Sequence, residues 1–550
     1  MFPRIKRGGN KEHPHDYLHI VEAYRDPHTR KPKHRLIANL GRLDVVVASG
    51  QLDAVIVGLA RFSERVRVLG AARSSEVETC QSRLWGPPLV FGRLWERQGV
   101  GEVIERLLAN RRFEFDLERV AFAQALQRLC CPGSDLQGSA WVKKVEAPGF
   151  DAFELQHFYR TAAWLCEVRG ELERELFVRD RDLFCGEEVD LLFIDTTSLY
   201  IWRDEETEFF RRGYSREKHP ELPQIVLAVA VDREGWPVAW EFYPGNTMDR
   251  KAFVAMLELV RTRLRVRRVI VVADRGMISE DTIKVLTEDK EAPFEYILGC
   301  RMRQHKEVRE EVLARGGRYH RVAENLEVKE VWVEGRRYVV CLNREEAKKD
   351  AAARAGILAH LEETLARQPK ALVGNKGCKR FLRAVRGAVT IDREAVEADA
   401  RLDGKWVLRT NTDLAPEDVA VTYKSLWRVE RVFREEKSTL EVRPFFHHCD
   451  ENRIGHGVAS FLALRLEVDL QRRLDERGVD ISWPDLMADL SQVQAIHLSL
   501  EGKAWKIRTD LEGHAYAALE AAGIRPPQRL MPLGGGGHVV PYADPILASH

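Results

Sequence analysis

Short apolar runs alternate with amphipathic segments along much of the chain, most regularly between residues 191 and 300. Apolar runs of about four to eight residues predict buried strands, whereas apolar positions three and four apart predict helices. In chain order, the predicted elements are strands from Leu191, Gln224 and Pro237, a helix from Asp249, a strand ending at Asp274, a helix from Ser279 and a strand from Phe294. This order predicts an α/β fold in which helices flank a mixed sheet.

The regions on either side have different patterns. Strand-like pieces up to about Thr79 predict a small α+β unit, and amphipathic segments over residues 89–183 predict a helical module. Over residues 301–402, a hairpin around EGRR and a long charged helix break the α/β order, so we interpret this region as an insertion. The strand KWVLRTNT and a helix over about 416–438 then resume the order. An amphipathic helix from Arg453 is expected to pack on the sheet.

Two aspartates occur beside apolar runs that predict central strands. Asp195 interrupts LLFIDTTSLYIW, and Asp274 follows VIVVA. Because a buried carboxylate is costly without a partner, such a residue indicates a hydrogen-bond network or a metal ion. Open α/β sheets bind ligands at the carboxyl ends of strands, so both aspartates can share one site. Two structural alternatives stay open: Asp195 bonded to the hydroxyls of Thr196, Thr197 or Ser198, and Asp274 as a helix N-cap.

A third carboxylate is predicted on the helix over 416–438. Residues spaced four, three, four and three apart form one stripe of this helix: Tyr423, Trp427, Glu430, Arg434 and Lys437. Apolar residues at other angles can face a core: Leu426, Val429, Val432 and Phe433. A phenol, an indole, a carboxylate and two cations are an unusual composition for a solvated face. A solvated face remains the alternative for the stripe, and core packing remains the alternative for Trp427.

Charge is balanced overall but uneven along the chain. The 86 basic and 85 acidic residues give a formal net charge of +1, which by itself does not indicate a polyanion partner. Residues 24–35, 261–268 and 375–386 are nevertheless strongly cationic. Each segment alone is typical of a solvated face, and the three together favour a phosphate-binding surface.

Length and composition predict a large protein of the cell interior. At 550 residues, the chain is longer than one hydrophobic core normally organises, so we expect about two to four structural units. It has no apolar run of the roughly 18 residues that cross a bilayer, and its N-terminus lacks a signal-peptide core, so we expect a cytoplasmic protein with no membrane partner. Nine cysteines without a CxxC pair fit reduced thiols. The HHC at His447 to Cys449, with His456 nearby, is a separate candidate for metal ligation.

The order of the three carboxylates resembles a known catalytic pattern. Asp195 on a first strand, Asp274 after a later central strand and Glu430 on a helix beyond an insertion resemble the DDE triad of insertion-sequence transposases of the cut-and-paste class. The segments ADRG from Ala273, FYPGNTMD from Phe242, GYSREKHPELPQIVLAVAVD and LRTNTD are also similar to these transposases. The resemblance extends over roughly residues 15 to 470.

Around the glutamate, these transposases carry the signature Tyr-x2-Arg-x3-Glu-x6-Lys. This chain matches it at Tyr423, Glu430 and Lys437 but has Leu426 where the arginine is expected. The substitution puts the DNA contact of that arginine in doubt. Arg428 or Arg431 could replace it, although neither has the same helical angle.

The resemblance implies a ribonuclease-H-like catalytic core interrupted by a mixed β/α insertion. The expected regions are an N-terminal α+β unit with possible DNA binding (1–80), a helical module with possible DNA-end binding (81–185), the first part of the core (186–300), the insertion (301–403), the second part of the core with the glutamate helix (404–475) and a C-terminal helical or flexible tail (476–550).

The resemblance also implies an activity. The family binds the terminal inverted repeats of its own insertion sequence, cleaves there as a metal-dependent endonuclease and transfers the freed 3′-hydroxyl to target DNA. Asp195, Asp274 and Glu430 would hold two Mg²⁺ ions, with Mn²⁺ as a substitute, and Asp195 would bridge both. DNA contacts are implied for Tyr423, Trp427, Arg434, Lys437 and Arg275.

Partners and alternatives follow from the same resemblance. The implied partners are terminal-repeat and target DNA and a second copy of the chain, as a homodimer or higher assembly in the synaptic complex associated with the nucleoid. One alternative is a domesticated, catalytically inactive DNA-binding relative. Another is a metal-dependent phosphohydrolase acting on a small substrate.

Overall fold

The structure is a computed structural model. It describes residues 1–9, 14–26, 32–60, 78–108, 111–183, 191–201, 205–215, 219–264, 270–274, 280–288, 294–303, 305–367, 379–385, 388–430, 432, 447–500 and 503–533.

The strands are β1 (Phe2–Gly9), β2 (Pro14–Arg25), β3 (Pro32–Arg42), β4 (Glu78–Leu84), β5 (Leu191–Tyr200), β6 (Gln224–Val231), β7 (Pro237–Pro244), β8 (Ile270–Ala273), β9 (Glu295–Gly299), β10 (His320–Ala323), β11 (Leu326–Val333), β12 (Arg336–Leu342), β13 (Leu382–Val385), β14 (Ala388–Ile391), β15 (Lys405–Thr410), β16 (Gln494–Leu500), β17 (Lys503–Arg508) and β18 (Leu530–Leu533).

The α-helices are α1 (Leu43–Ala48), α2 (Gln51–Ala60), α3 (Gly86–Arg97), α4 (Val100–Leu107), α5 (Leu117–Cys130), α6 (Asp135–Trp141), α7 (Leu155–Leu183), α8 (Asp249–Leu264), α9 (Glu280–Glu288), α10 (Arg344–Arg367), α11 (Arg393–Ala400), α12 (Pro416–Lys424), α13 (Asp450–Glu476), α14 (Trp483–Ser491) and α15 (Ala515–Ala521).

A mixed sheet of nine strands dominates the larger of two compact units, whose described residues lie within 84–493 and 511–526. Its strand order is β10-β11-β12-β15-β9-β8-β5-β6-β7. The central strands β5, β8 and β9 run parallel, and β6 and β7 continue antiparallel from β5. The predicted order of three strands, helix, strand, helix and strand is confirmed.

One face of the central strands is covered by α8. Leu192 and Ile194 of β5 pack there with Phe253, Met256 and other apolar residues. Because side chains alternate along a strand, Asp195 faces the opposite side of the sheet. The pattern of β5 thus places a carboxylate on a strand whose other face is core.

The insertion does not stand apart from this sheet. Its hairpin β11–β12 pairs with β15, and β15 pairs antiparallel with β9. A separate apolar cluster below it includes Val331, Tyr338 and Val407. The insertion therefore extends the sheet on the β9 side.

Helices α3 to α7 form the predicted helical region, and α13 packs among them and on the sheet edge. Trp240 of β7 stacks on Phe461 of α13 at 5.2 Å between ring centroids. On the same helix, a Cβ added to Gly455 would lie 1.8 Å from the Ala162 carbonyl oxygen of α7, so only glycine permits this close approach. The expected packing of the helix from Arg453 on the sheet is confirmed.

The described residues of the smaller compact unit lie within 1–83, 494–510 and 527–533. It contains the antiparallel sheet β1-β2-β3 and a second sheet of order β18-β17-β16-β4. The strands β16 to β18 were not predicted from the sequence, where residues 476–550 were expected to be helical or flexible. The helix expected at ERVRVLGAAR and the GGGG near the C-terminus lie outside the described residues.

Candidate active site

Asp195 and Asp274 come from adjacent strands, as predicted. β5 and β8 are parallel neighbours with Phe193 opposite Val272. Asp195 lies two residues beyond this pair, and Asp274 directly follows β8. Asp195 is half-buried and Asp274 is exposed. The parallel pairing brings both carboxylates to the same edge of the sheet.

Glu430 reaches the same place from a distant part of the chain. A cavity of about 750 Å³ is lined by Asp195, Asp274 and Glu430 together. The three carboxylates are not gathered as closely as a metal shell, because the single cluster of three metal-ligand side chains within 4.8 Å in the described part of the chain lies elsewhere. The three carboxylates thus line one cavity, but they are farther apart than the ligands of a single bound ion.

One hydrogen bond of Asp195 is local. Its Oδ1 accepts a hydrogen bond from the Thr196 backbone N–H at 2.7 Å, and the Thr196 hydroxyl donates instead to Asp249 Oδ1 at 3.0 Å. The alternative that a neighbouring hydroxyl satisfies Asp195 does not hold for Thr196. Asp195 also lines the cavity.

Tyr423 joins α12 to the sheet edge. Its hydroxyl donates to Asp274 Oδ1 at 3.1 Å. A Cβ added to Gly299, the last residue of β9, would lie 2.2 Å from the Tyr423 hydroxyl oxygen. Only glycine at this position leaves room for the phenol, which bonds the carboxylate that follows the neighbouring strand β8.

The predicted continuous helix over 416–438 is interrupted, which corrects the sequence-based expectation. α12 ends at Lys424, a turn occupies Ser425 and Leu426, and helical structure resumes over 427–430. The amides of Leu426, Arg428 and Val429 bond carbonyls three residues back, so the backbone tightens as in a 3₁₀ turn.

Burial along this segment agrees with the predicted core face. Leu426, Val429 and Val432 are buried, whereas Trp427 is 53% exposed and does not pack in a core. Phe433, Arg434 and Lys437 lie outside the described residues, as does Arg275. The described part of the stripe, Tyr423, Trp427 and Glu430, lines the cavity despite the interruption.

Leu426, which stands in place of the signature arginine, is buried and lines the cavity. Arg428 is not among the residues that line the cavity. Its guanidinium lies 5.7 Å from the Trp427 ring, and its side chain packs near Gly235. Arg431 lies outside the described residues.

Cationic side chains that the sequence analysis missed also line the cavity. Arg301 and Arg303 follow β9, as Asp274 follows β8, and Lys405 and Lys424 lie at the start of β15 and the end of α12. Arg303 is paired with Asp399 at 2.9 Å. The signal was available in the sequence, since polar residues directly after a central strand lie at its carboxyl edge.

Several arginines of the cationic segments make contacts within the protein. Arg263 pairs with Glu173 at 2.5 Å and with Glu241 at 3.0 Å, and Arg261 stacks on the Phe294 ring. In the N-terminal segment, Arg35 pairs with Glu22 at 2.5 Å. These pairs reduce the positive charge that the segments present to a partner.

Comparison with known proteins identifies the class. Residues 190–465 match the family described as Transposase DDE domain, and residues 4–74 match the IS1634 family transposase, N-terminal domain. The first match covers half of the chain and includes Asp195, Asp274 and Glu430. These matches define a polynucleotidyl transferase or nuclease kind of enzyme. The chain belongs to the DDE transposases of insertion sequences, and it is a DNA transposase.

Other comparisons add less. The cryo-EM structure of the piggyBac transposase synaptic complex with hairpin DNA is similar at 10% sequence identity and a TM-score of 0.38, covering 74% of this chain and 79% of that chain. A likeness at this TM-score carries no argument. No curated protein matches the sequence. Among the described residues, no helix has the length and apolar character needed to span a membrane.

Proposed function

We propose that this transposase binds the terminal inverted repeats of its own insertion sequence, cleaves DNA there and transfers the freed 3′-hydroxyl to target DNA in cut-and-paste transposition. The observation that carries the proposal is the cavity that Asp195, Asp274 and Glu430 line together with a group of cationic side chains. We call this group the cationic wall; it consists of Arg301, Arg303, Lys405 and Lys424. Carboxylates alone suit a metal ion, and the added cations suit the phosphates of a nucleic acid.

The donor set fits the divalent ions that the family requires. Asp195, Asp274 and Glu430 offer carboxylate oxygens, the hard ligands that Mg²⁺ and Mn²⁺ prefer. When two such ions are bound, they supply a nucleophilic water at neutral pH and stabilise charge on the leaving oxygen. Tyr423 holds Asp274 in the orientation for ligation, in the way that outer partners orient metal ligands.

The remaining cavity residues bind and position the DNA strand. Arg301 and Lys424 contact phosphates beside the scissile bond, and the exposed Trp427 offers an indole face to an unpaired base. From the family signature, Arg434 and Lys437 contact backbone phosphates near the cut, and Arg275 extends this contact. The Tyr423 hydroxyl has one proton to donate, so it can bond a phosphate only after its hydrogen bond to Asp274 is broken.

The strand order supports a ribonuclease-H-like core. In the order β7-β6-β5-β8-β9, the first three strands form an antiparallel meander, and β5, β8 and β9 run parallel. We retain the expected regions, with the core over 186–300 and 404–475 and the insertion over 301–403. Two copies of the chain bring the two ends of the element together.

Cleavage of a DNA duplex that carries the terminal repeat of this element tests the proposal. We expect nicking at the repeat end with Mg²⁺ or Mn²⁺, no nicking in EDTA, and no nicking of a duplex with a scrambled end. Repeat binding without Mg²⁺-dependent nicking would identify a domesticated DNA-binding relative instead. Hydrolysis of p-nitrophenyl phosphate without DNA cleavage would identify a small-substrate phosphohydrolase.

A further inference from the structure

A second group of potential metal ligands lies buried outside the cavity. The ligand atoms of Asp135, His447 and His456 are all within 4.8 Å of one another. The side chains of Asp135 and His447 are each 3% exposed, and His456 is buried. None of the three lines the cavity of the acidic triad. The sequence indicated the two histidines, but Asp135 lies more than three hundred positions earlier and was not expected.

The cluster is held by three separate parts of the fold. Asp135 begins α6, where Ser134 caps the helix, His447 precedes α13, and His456 lies in the second turn of α13. A Cβ on Gly457, the residue after His456, would lie 2.5 Å from the Phe242 ring of β7, the edge strand of the sheet. The cluster therefore lies on the β7 side, whereas the cavity opens at the ends of β8 and β9.

One nitrogen in the cluster lacks a hydrogen-bonding partner. Within the described part of the chain, His447 Nε2 is buried and makes no hydrogen bond. It lies 3.6 Å from Asp135 Oδ2, which is too long for a hydrogen bond. Because buried polar atoms are nearly always satisfied, an unsatisfied imidazole nitrogen that faces a carboxylate and a second imidazole is a site that a cation completes.

The surrounding contacts prepare the ligands. Gln124 donates to Asp135 Oδ2 at 3.4 Å, and Arg453 donates to the His447 carbonyl at 3.0 Å. Arg128 Nη1 lies 3.3 Å from His456 Nε2. Since an arginine only donates, that nitrogen is unprotonated, which is the form that binds a metal. An ion would replace this contact, and Arg128 would keep its hydrogen bond to the Gly133 carbonyl.

We propose that Asp135, His447 and His456 form a second metal site, which binds one divalent transition-metal ion of the Zn²⁺ type. Two imidazoles and one carboxylate are a known zinc ligand set and suit Zn²⁺ better than Mg²⁺. Ligands of tetrahedral zinc lie roughly 3.4 Å apart, since Zn–N is about 2.1 Å, so small side-chain rotations close the cluster.

The site has a structural consequence for the catalytic segment. After Glu430 and Val432, the next residue that the structure describes is His447, and it is buried. An ion there ties the chain that follows the glutamate to α6 of the helical region. The ion would thereby fix the downstream end of the segment that carries Glu430, without taking part in the chemistry.

Cobalt titration of the full-length protein tests the proposal. The protein is stripped with chelator, kept in excess Mg²⁺ to occupy the carboxylate site and titrated with Co²⁺. We expect one equivalent to bind, with visible d–d absorbance, and to be displaced by Zn²⁺. His447→Ala and Asp135→Asn should each weaken binding by at least roughly tenfold. The adjacent His448→Ala is the matched control and should bind as the wild type does.

Two further variants make the outcome decisive. Asp135→Cys should add a thiolate-to-cobalt charge-transfer band, which assigns the ligand even if the loss variants fold poorly. Asp195→Asn should leave the titration unchanged, because the two sites are separate. The proposal is overturned if the wild type binds no stoichiometric Co²⁺ in Mg²⁺, if His448→Ala weakens binding equally, if Asp195→Asn removes it, or if Asp135→Cys adds no band.

Discussion

Tyr423 is the residue that most directly links the glutamate-bearing segment to the aspartates. Its hydroxyl donates to Asp274, and Gly299 leaves the space through which it passes. The family signature contains this tyrosine, but the sequence suggested a phosphate contact. The structure shows a partner inside the protein, the Asp274 carboxylate, and the phosphate contact stays a prediction.

Tyr423→Phe should lower the Mg²⁺-dependent cleavage rate about three- to tenfold, because one hydrogen bond to a carboxylate is lost. Gly299→Ala should lower the rate more, since the new Cβ would lie 2.2 Å from the hydroxyl oxygen. In the double variant the contact with the hydroxyl oxygen is gone and the nearest ring carbon lies at 2.9 Å, so the two losses should be less than additive. Single-turnover cleavage measures all three, with the exposed Tyr516→Phe as control. Additive losses would contradict the proposed contact.

Substitution of Arg301 and Lys424 tests whether the cationic wall of the cavity binds DNA. If both contact phosphates, Arg301→Ala combined with Lys424→Ala should reduce the slope of log affinity against log salt by about two, since each neutralised phosphate releases a counterion. Cleavage should weaken without being abolished, because positioning contributes part of the alignment. DNA binding measured over a salt series checks this, with the exposed Lys348→Ala of α10 as control. An unchanged slope would remove these residues from the DNA interface.

At the scale of elements, a buried ion pair fixes α13 against α7. Asp180 accepts from both terminal nitrogens of Arg465 at 2.9 Å and from the Trp236 indole at 3.0 Å. Both side chains are buried, so removing one charge leaves the other buried without a counter-ion. This contact holds the helical region to the turn that precedes β7.

Asp180→Asn should lower the free energy of unfolding by about 3 kcal/mol, because the Arg465 charge would remain buried without a counter-ion. Glu167 lies on the same helix as Asp180 and forms an exposed ion pair with Arg111. Glu167→Gln should therefore have no measurable effect on the free energy of unfolding. Urea denaturation compares the two variants. A loss of less than about 1 kcal/mol for Asp180→Asn would mean that the pair contributes no more than a surface contact.

The same elements show what the sequence predicts and where it fails. The strands from Leu191 to Gly299 were predictable because apolar runs and turn residues alternate there without ambiguity. The interruption at Ser425 was not, because the period of apolar residues continues through it. The addition of the insertion to the sheet and the pairing of β16 with β4 depend on partners distant in sequence, which local patterns do not specify.

The candidate site shows the same limit. Asp195, Asp274 and Glu430 were predictable from strand ends and from the family signature. The position of Arg301 and Arg303 after β9 was a usable signal, but cations at a strand end have no spacing that distinguishes them from solvated ones. Asp135 was missed because only the fold brings α6 beside His447.

For the whole molecule, stability should depend on pH through Glu173. Burial raises its pKa to about 7 despite its contacts with Arg263 and the Trp240 amide. In the unfolded chain its pKa is near 4.5. The folded state therefore keeps a proton that the unfolded state releases, so this contribution to stability is full below pH 4.5 and is lost as the pH rises towards 7.

Glu173→Gln should remove this dependence. We expect wild-type unfolding free energy to fall between pH 4.5 and about 7.5, by at most about 3 kcal/mol from this group, and the variant to show a smaller fall. Urea denaturation at several pH values gives the comparison, with Glu167→Gln as the exposed control. An equal fall in variant and wild type would assign the pH dependence to other groups.

The central claim is that the three carboxylates act together on DNA, and charge removal tests it most directly. Single-turnover cleavage of terminal-repeat DNA in Mg²⁺ should fall at least about a thousandfold in Asp195→Asn, Asp274→Asn and Glu430→Gln, while repeat binding persists. Glu435→Gln and Glu436→Gln, which remove neighbouring charges, should cleave nearly as the wild type does. Near-normal cleavage by Glu430→Gln, with loss in either neighbour, would contradict the account.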